Sequence, residues 1–441
     1  MMISSKREVP AMTLGEHLLL IIRAIPMLIG LGVSMPLIAS PMGSGDNRGG
    51  AWIVGWEELI ETLETLPAEM LDALPPEVRD DPNVQQELAR VMLSAISSST
   101  LSSLGGDPRY PEFLPSLGRL MNIGQPNADT IYKTVRVDPT GVYRIYGSKG
   151  SVRMLTLSQS VGAKNGQPSP RVFDHDLNAV NADTNGQFEV ILSQERPTDY
   201  EGHWWALQPS ANSLLLRVVS SDWLTEQEPK IAIERLDPLE QPYRQSAVNL
   251  QRQLQSLPRA ISFVSKLFVG HVYKLRDEGV VNTLRTLDVS QIGGLNSQYY
   301  YEGVYQLEDD EALLVETVVP ENCLYRSIIL TNHLYETTDW YNNHSSLNDS
   351  QALPDRDGVL RVVVSLRDPG VPNWLDTAGY PMGVIQGRWV GCKTQPIPSV
   401  KKIKVTEARQ CLPQDTPLVT SAQRSEIVRQ RRAALQKRSK W

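Results

Sequence analysis

Apolar residues recur at helical spacing in the segment that follows Gly50. The recurring positions are Trp52, Trp56, Leu59, Ile60 and Leu63, and residues 88–104 continue in the same manner. Gly105, Gly106, Asp107 and Pro108 then break the pattern. The sequence therefore predicts a helical entry element over residues 51–106.

From Thr130 onward the pattern changes to short alternating runs that are typical of strands. The runs cover residues 142–146, 152–157, 188–192, 213–219 and 231–236, with Gly, Asn and Pro turns between them. No helical stretch intervenes, so the even spacing favours an antiparallel sandwich over a doubly wound sheet. We assign residues 107–238 to a first β region.

Residues 241–278 form the longest helical pattern. Leu250, Leu254, Leu257 and Ile261 lie on one broad apolar stripe, and Gly279 is a natural stop. Pro258 is expected to kink or split the helix. His271 falls near the stripe and is interpreted as a packed helix residue. Residues 239–280 are therefore predicted to link two β regions.

The second β region is assigned to residues 281–412. Residues 311–319 and 324–330 alternate as strands, and Pro320, Glu321 and Asn322 suggest a hairpin turn between them. Such a turn would place Glu316 opposite Arg326 on an apolar face. The pair is either an ion pair that satisfies itself inside the sandwich or a catalytic carboxylate held ionised by the guanidinium.

Polar and aromatic side chains are concentrated between residues 331 and 389. Amides, carboxylates, imidazoles and indoles are poor core material and are well suited to holding a ligand by hydrogen bonds and stacking. The candidate ligand-binding residues here, together with one upstream tyrosine, are Asn332, Trp340, His344, Trp374, Arg388 and Tyr132. For Trp374, a core position and a stacking platform are both open.

His333, His344 and Asp376 are the candidates for acid–base work in this region. A histidine beside a carboxylate can act as a general base, and both histidines can equally be structural. Metal binding is weakly supported, because the sequence contains no HxH, HxxxH or facial-triad spacing. The catalytic candidates are therefore His333, Asp376, Glu316 and Arg326, and no metal is expected.

Three strings in the chain resemble a known family. They are "LTNHLYETTDWYNNHSSLND", "VVSLRDPGVPNWLDTAGYPMGVIQGRW" and, upstream, "GQPNADTIYKTVRVDPTGVYRIYG". Over residues 52–408 the chain resembles the domain-of-unknown-function 1214 family, and "PNWLDTAG" is its most specific string. The resemblance implies a β-sandwich of jelly-roll type with added helices, and it implies no agreed activity.

Composition narrows the functional class. The net charge of −7 argues against broad nucleic-acid binding. No phosphate loop, dinucleotide fingerprint or nucleophile elbow is present, so no cofactor is expected. The three cysteines, Cys323, Cys392 and Cys411, fit either reduced thiols or one disulfide with a free thiol.

The two ends of the chain bear on membrane association. Residues 24–42 lack charge and follow Lys6, Arg7 and Arg23, so residues 1–50 are either an anchor or signal, or a buried or disordered extension. The basic tail, residues 413–441, is either a solvated, frayed helix or a tether to an anionic surface. A cytoplasmic location is expected, and association with an anionic membrane surface through these two ends is left open.

Taken together, the sequence predicts a mainly β protein: an antiparallel, jelly-roll-like sandwich in two β regions with added helices. Two functions remain open. The first is a cofactor-independent enzyme that uses acid–base chemistry, hydrolysis or elimination, on a small organic molecule, with lipid- or terpenoid-like compounds among the candidates. The second is a non-catalytic module that binds carbohydrate or lipid.

Overall fold

The computed structural model describes residues 53–161, 172–237, 244–288, 295 and 298–439. The suggested anchor at residues 24–42 lies outside these ranges. None of the helices in the described part of the chain combines the length and apolar character needed to cross a bilayer.

Three helices open the described chain: α1 (Trp56–Asp72), α2 (Pro76–Arg79) and α3 (Pro82–Gly105). Asp81 caps α3 by accepting a hydrogen bond from the backbone N–H of Asn83, and Pro82 occupies the first helical position. Buried residues of these helices, including Leu66, Met70 and Leu88, pack against the linking helix. The helical entry element is confirmed.

Within the described residues, the first sandwich contains nine strands in two sheets. The strands are β1 (Leu114–Leu117), β2 (Thr130–Arg136), β3 (Tyr143–Ser148), β4 (Met154–Val161), β5 (Val172–Asp176), β6 (Gln187–Ser193), β7 (His203–Ala206), β8 (Ala211–Val219) and β9 (Lys230–Arg235). Sheet 1 has the order β1-β2-β8-β4-β5, and sheet 2 has the order β7-β6-β3-β9. Tyr143, Ile145, Leu155 and Leu214 lie in the core between the two sheets.

The second sandwich is built in the same way. Its strands are β10 (Arg285–Leu287), β11 (Gln298–Gln306), β12 (Glu311–Val318), β13 (Tyr325–Leu330), β14 (Ser346–Asn348), β15 (Val359–Ser365), β16 (Trp374–Asp376), β17 (Met382–Val390) and β18 (Ser399–Lys404). Sheet 3 has the order β10-β11-β17-β13-β14, and sheet 4 has the order β16-β15-β12-β18. Leu313, Ile328, Leu330 and Val364 lie in the core between them. The mainly β, sandwich-like fold is confirmed.

The two sandwiches repeat one topology. Each strand of sheets 3 and 4 takes the place held in sheets 1 and 2 by the strand nine positions earlier. Even the exceptions correspond, since β6–β7 and β15–β16 are parallel pairs in otherwise antiparallel sheets. A cross-strand pair, Tyr132 and Arg217 on β2 and β8, therefore has its counterpart in Tyr300 and Arg388 on β11 and β17.

The linking helix is broken, but not at its proline. Helix α4 (Ala247–Lys266) runs through Pro258, and the chain turns at residues 267–270 before α5 (His271–Asp277). Ser246 caps α4 through the backbone N–H of Asn249. The helix is therefore not split at Pro258, and the break at residues 267–270 places His271 at the start of a separate helix.

The predicted hairpin at residues 320–322 was wrong, and so was the pairing of Glu316 with Arg326. Strand β12 belongs to sheet 4 and β13 to sheet 3, so their connection crosses the sandwich. Glu316 lies opposite Arg361, whose Nε donates to Glu316 Oε1 at 2.9 Å in a half-exposed ion-pair network. Alternation alone fixes the faces of a strand without identifying its partner, and six residues suffice to span the roughly 10 Å between sheets.

Arg326 lies in sheet 3, whereas its predicted partner Glu316 lies in sheet 4 of the same sandwich. Its side chain is buried, and its Nη2 donates to the backbone carbonyl of Ala352 at 2.8 Å. Burial lowers the pKa of Arg326. The guanidinium is thus part of the packing of sheet 3 and does not pair with Glu316.

The C-terminal tail folds as a docked helix, so the expectation of a solvated, frayed helix was wrong. Helix α6 (Ser421–Lys437) begins with a capping box between Thr420 and Gln423. Its Arg424 and Arg431, and Arg438 just beyond it, are buried against the two sandwiches. Several arginines of this basic segment thus bind carboxylates and carbonyls inside the protein.

The cysteines follow the second of the two alternatives. Cys323 and Cys392 form a disulfide that joins the segment before β13 to the segment after β17, and Cys411 is free. Disulfides persist mainly in oxidising compartments. This disulfide therefore gives the cytoplasmic location no support, and that location stays a prediction.

Candidate functional site

The outer faces of sheets 1 and 3 are turned towards each other, which buries a layer of polar side chains between the two sandwiches. Met154 and Val219 of sheet 1 pack against Tyr325 and Val390 of sheet 3. The residues of this polar layer are Asn127, Tyr132, His271, Tyr300, Glu302, Ser327, Tyr335, Gln386 and Arg388, and the buried Gln125 lies in the same loop as Asn127.

Strand register explains why these groups meet. Tyr300 lies opposite Arg388, and Glu302 lies opposite Gln386, in the antiparallel pair β11–β17. Ser327 of β13 lies opposite Arg388 on its other side. Because side chains alternate between faces, these five residues share the outer face of sheet 3, while the apolar positions between them fill the core.

Arg388 is the most unusual residue of the layer. Its side chain is 4% exposed, and no carboxylate within the described residues forms an ion pair with it. Nη2 donates to Gln386 Oε1 at 3.0 Å, and the guanidinium lies 5.0 Å from the centroid of the Tyr300 ring. Burial acts to lower the pKa of Arg388, but neighbouring phenols and the Asp129 carboxyl raise it, and the net direction is upward. The guanidinium therefore stays charged without a direct counter-ion.

An imidazole–carboxylate pair lies beside this cation. His271 Nε2 is 3.2 Å from Glu302 Oε2, and the Glu302 side chain is fully buried. The His271 ring lies 4.6 Å from that of Tyr335, whose hydroxyl accepts a hydrogen bond from Gln386 Nε2 at 3.2 Å. His271 retains 18% exposure, so this edge of the layer is open to solvent.

Tyr335 is held as a neutral phenol. Burial raises its pKa well above the usual value, and the nearby Glu302 carboxylate acts in the same direction. Tyr335 also has a positive φ of 65°, which is uncommon for a bulky residue. Such backbone strain persists only where the surroundings hold it, and it is concentrated at functional sites.

The other end of the layer is closed by the Asp129 carboxyl. Asp129 Oδ1 accepts from Trp223 Nε1 at 2.8 Å and from Asn348 Nδ2 at 2.7 Å, and Oδ2 accepts from the Tyr325 hydroxyl. Arg438 of the tail donates to the Asp129 backbone carbonyl at 3.0 Å. Burial raises the pKa of Asp129, although its hydrogen bonds oppose the shift. This network joins both sandwiches and the tail.

Two of the binding residues predicted from sequence, Tyr132 and Arg388, lie in the layer. Asn332 lies beside it, where its Oδ1 accepts from the backbone N–H groups of Leu334 and Glu336 at 2.9 and 3.0 Å. The turn that it holds carries Tyr335 into the layer. Asn332 thus acts on the site through the conformation of this turn.

His333 lies in the same turn but contacts a different group of residues. Its Nε2 is 3.1 Å from Glu87 Oε2, without the alignment of a hydrogen bond, and the Tyr380 hydroxyl donates to Glu87 Oε1 at 2.7 Å. Burial tends to raise the pKa of Glu87, but the contact with His333 and the hydrogen bond from Tyr380 outweigh that effect and lower it. Catalysis by His333 stays a prediction. Its contact with Glu87 of α3 lies outside the polar layer.

Asp376 opens the turn that brings Tyr380 to Glu87. Its Oδ1 accepts from the backbone N–H of Ala378 at 2.7 Å, and Ala378 and Gly379 both have positive φ. Burial raises the pKa of the Asp376 carboxyl. The described contacts of this side chain are those of a residue that shapes a turn, and its catalytic role stays a prediction.

Trp340, Trp374 and His344 lie in packed regions. Trp340 is 5% exposed and packs with Ala128, Trp223 and Ala434 of the tail helix. Trp374 is also 5% exposed, and its Nε1 donates to Ser365 Oγ at 3.0 Å. His344 stacks on Trp374, and its Nδ1 lies 2.5 Å from the Trp374 carbonyl. Neither tryptophan is an open platform in this structure.

His344 should make the protein sensitive to mild acid. Burial, helped by Arg431 and Arg424, lowers its pKa well below 6.5, so it stays neutral when folded. The unfolded chain takes up a proton on this histidine below about pH 6.5. The free energy of unfolding should therefore fall by about 1.4 kcal/mol for each pH unit below that value. Above pH 6.5 this contribution to stability is fully present.

Urea unfolding of the wild type and the His344→Asn variant between pH 5 and pH 7.5 measures the effect. Asparagine keeps a donor for the Trp374 carbonyl but does not titrate. The difference in unfolding free energy between the two proteins should change with pH at the slope given above. Parallel pH profiles for the two proteins would contradict this account of His344.

The sequence did not indicate several residues of the site, among them His271, Glu302, Gln125 and Tyr335. Glu302 follows the three tyrosines of β11, and a lone carboxylate in an apolar strand is a signal that could have been used. His271 resembled a packed helix residue because the break at residues 267–270 was not foreseen. Within the described residues, no group of three His, Cys, Asp or Glu side chains is arranged to hold a metal ion.

Comparison with known proteins supports the fold. No protein-family model matches the chain, and no curated protein matches it. The chain is similar to the crystal structure of an uncharacterised protein from Burkholderia cenocepacia, with 28% identity and a TM-score of 0.72 over 80% of this chain and 97% of that one.

A protein from Vibrio parahaemolyticus also matches, with 14% identity and a TM-score of 0.41 over 72% of this chain and 99% of that one. Neither description states an activity, and the support for the fold comes from the Burkholderia cenocepacia structure. The resemblance to the domain-of-unknown-function 1214 family stays a prediction.

Proposed function

We propose that this protein is a cofactor-independent enzyme that performs acid–base chemistry, hydrolysis or elimination, on a small organic molecule held in the polar layer. The observation that carries the proposal is the His271–Glu302 pair beside Tyr335 and Arg388. A base, a neutral phenol and a buried cation lie along one face of sheet 3. Separate structural roles would not require them to be gathered in this way.

His271 is the proposed base. Glu302 binds its Nε2, while Nδ1 makes no hydrogen bond with the described residues. A carboxylate that holds one ring nitrogen orients the imidazole and stabilises its protonated form. Arg285 Nη2 also donates to Glu302 Oε1 at 3.4 Å, so the carboxylate lies between a guanidinium and the imidazole.

Tyr335 is the proposed acid. Its hydroxyl already accepts from Gln386, so its own proton is available for an oxygen atom of the substrate. Because the raised pKa keeps the phenol neutral, it can donate a hydrogen bond to negative charge that develops during the reaction. The base and the acid would then act on neighbouring atoms of one small molecule.

Replacing His271 by glutamine should lower kcat/KM by about 100- to 10,000-fold, the usual contribution of a general base. Glutamine can still donate to Glu302, so the unfolding free energy should change little. A panel of 4-nitrophenyl esters and β-hydroxy acids provides substrates for hydrolysis and elimination. His203→Gln, at an edge strand of sheet 2, is the matched control and should keep wild-type rates.

If no compound of the panel is turned over by the wild type at a rate that falls in the His271→Gln variant, the enzyme proposal is contradicted. The second candidate, a binding module for carbohydrate or lipid, predicts an exposed aromatic surface. The burial of Trp340 and Trp374 gives this alternative less support.

A further inference from the structure

The polar layer contains unused hydrogen-bonding capacity around Arg388. Arg388 Nε and the hydroxyl of Ser327, its cross-strand neighbour, are buried and have no partner in the part of the chain that is described. Both amide atoms of Gln125 are in the same state, and this side chain is 5% exposed. Buried polar groups are nearly always paired, and leaving one unpaired costs about 1–3 kcal/mol.

Residues on both sides of Gln125 contact the layer or its immediate neighbours. Gly124 packs against the ring of Phe268, which lies 5.2 Å from the Tyr335 ring. Asn127 Nδ2 donates to the Tyr325 hydroxyl at 2.8 Å. Gln125 itself has a φ of 57°, so the loop carries backbone strain at this residue.

The chemistry of the unpaired atoms defines a ligand. A buried guanidinium without a direct counter-ion attracts an anion, and its planar N–H groups match a carboxylate in particular. Gln125 Oε1 can only accept, so it needs a donor that a carboxylate lacks. Ser327 and Gln125 Nε2 can bond to further oxygen atoms of the same ligand.

We infer that the polar layer binds a small hydroxylated organic acid, with its carboxylate on Arg388 and its hydroxyl on Gln125. This assignment deepens the proposed function and rests on it for the view that the ligand is a substrate. Gln386 and Arg388 are two residues apart on one strand face, about 7 Å. The reacting atoms would therefore lie only a few bonds from the carboxylate.

Isothermal titration calorimetry in buffer free of carboxylate and phosphate tests the assignment. The probes are 3-hydroxybutyrate, butyrate and inorganic phosphate. The wild type should bind 3-hydroxybutyrate more tightly than butyrate, and phosphate weakly or not at all. Arg388→Met should weaken binding of both acids by about 100-fold or more. Arg356→Met, at a residue whose side chain is 91% exposed, is the matched control and should bind as the wild type does.

Gln125→Leu separates the two parts of the ligand. This variant should lose the preference for 3-hydroxybutyrate over butyrate, because only the hydroxyl contact is removed. In ligand-free buffer Arg388→Met should melt at the same temperature as the wild type or higher, since an uncompensated buried charge is replaced by an apolar side chain of similar length. A large drop in its melting temperature would instead indicate a structural arginine.

Three results would overturn the assignment: no binding of either acid by the wild type, equal binding by Arg388→Met, or binding of phosphate alone. The binding measurement does not depend on turnover. Acid binding by a His271→Gln protein whose turnover equals that of the wild type would refute the proposed base and leave the ligand assignment intact. Turnover that depends on His271, without any binding of these acids, would support the proposed base and refute the ligand assignment.

Discussion

Replacing Asp129 by alanine should lower the free energy of unfolding by about 3–5 kcal/mol. The carboxyl accepts from Trp223 Nε1, Asn348 Nδ2 and the Tyr325 hydroxyl, and all three donors are buried. Its removal leaves these donors without that acceptor and takes away a negative charge close to Arg431 and Arg438. A group of buried donors that loses its common acceptor is among the most costly single changes in a protein.

Urea unfolding monitored by tryptophan fluorescence and by circular dichroism measures this effect. Asp129→Asn keeps the shape and one acceptor oxygen, so its loss should be smaller than that of Asp129→Ala. Asp199→Ala, at an exposed turn position, is the control and should stay within about 0.5 kcal/mol of the wild type. An Asp129→Ala protein as stable as this control would show that the network does not hold the sandwiches together.

Removing the tail helix should have an effect of similar size. Arg424 binds Asp368 and the Val371 carbonyl, and Arg431 donates to Ser346 Oγ at 2.7 Å. Arg438 pairs with Glu228 at 2.6 Å, so the tail contacts both sandwiches. A chain that ends at Val419 should lose about 3 kcal/mol or more and should no longer unfold in one cooperative transition.

The matched control changes only the outward charges of the same helix. Arg429 and Lys437 are exposed, and the double variant Arg429→Ala, Lys437→Ala should unfold as the wild type does. Differential scanning calorimetry of the three proteins distinguishes the cases. A truncated chain with the melting temperature of the full chain would contradict a structural role for α6.

The same double variant bears on the suggested membrane tether. With Arg424, Arg431 and Arg438 bound inside the protein, fewer cations remain for an anionic surface than the sequence suggested. Association with an anionic membrane stays a prediction. Sedimentation with anionic liposomes should decrease in the double variant if the tail is the contact.

The sequence predicted the fold better than the site, and the reason is physical. Alternation and turn residues report which face of each strand is buried, and this was enough for two β regions and the helices between them. Alternation does not report which strands pair, so the repeated topology and the separation of Glu316 from Arg326 were not foreseen. Neighbouring strands such as β11 and β17 are far apart in the chain.

The polar composition of one segment also failed to locate the site. The segment from residue 331 to 389 is rich in polar and aromatic groups, but most of them hold turns or pack in cores, as Trp374 and His344 do. The polar layer takes only single residues from several strands and loops. A buried Arg388 and a buried Glu302 cannot be told from surface residues in a single sequence, because burial depends on the second sandwich that covers them.

A crystal structure of the wild-type protein grown with 3-hydroxybutyrate locates the ligand without reference to any reaction. We expect density for the acid in the polar layer, with its carboxylate on Arg388 Nε, its hydroxyl within hydrogen-bond distance of Gln125 Oε1, and its carbon chain towards His271 and Tyr335. An acid bound elsewhere, or a polar layer in which Arg388 and Gln125 bond only to protein atoms, would contradict the ligand assignment.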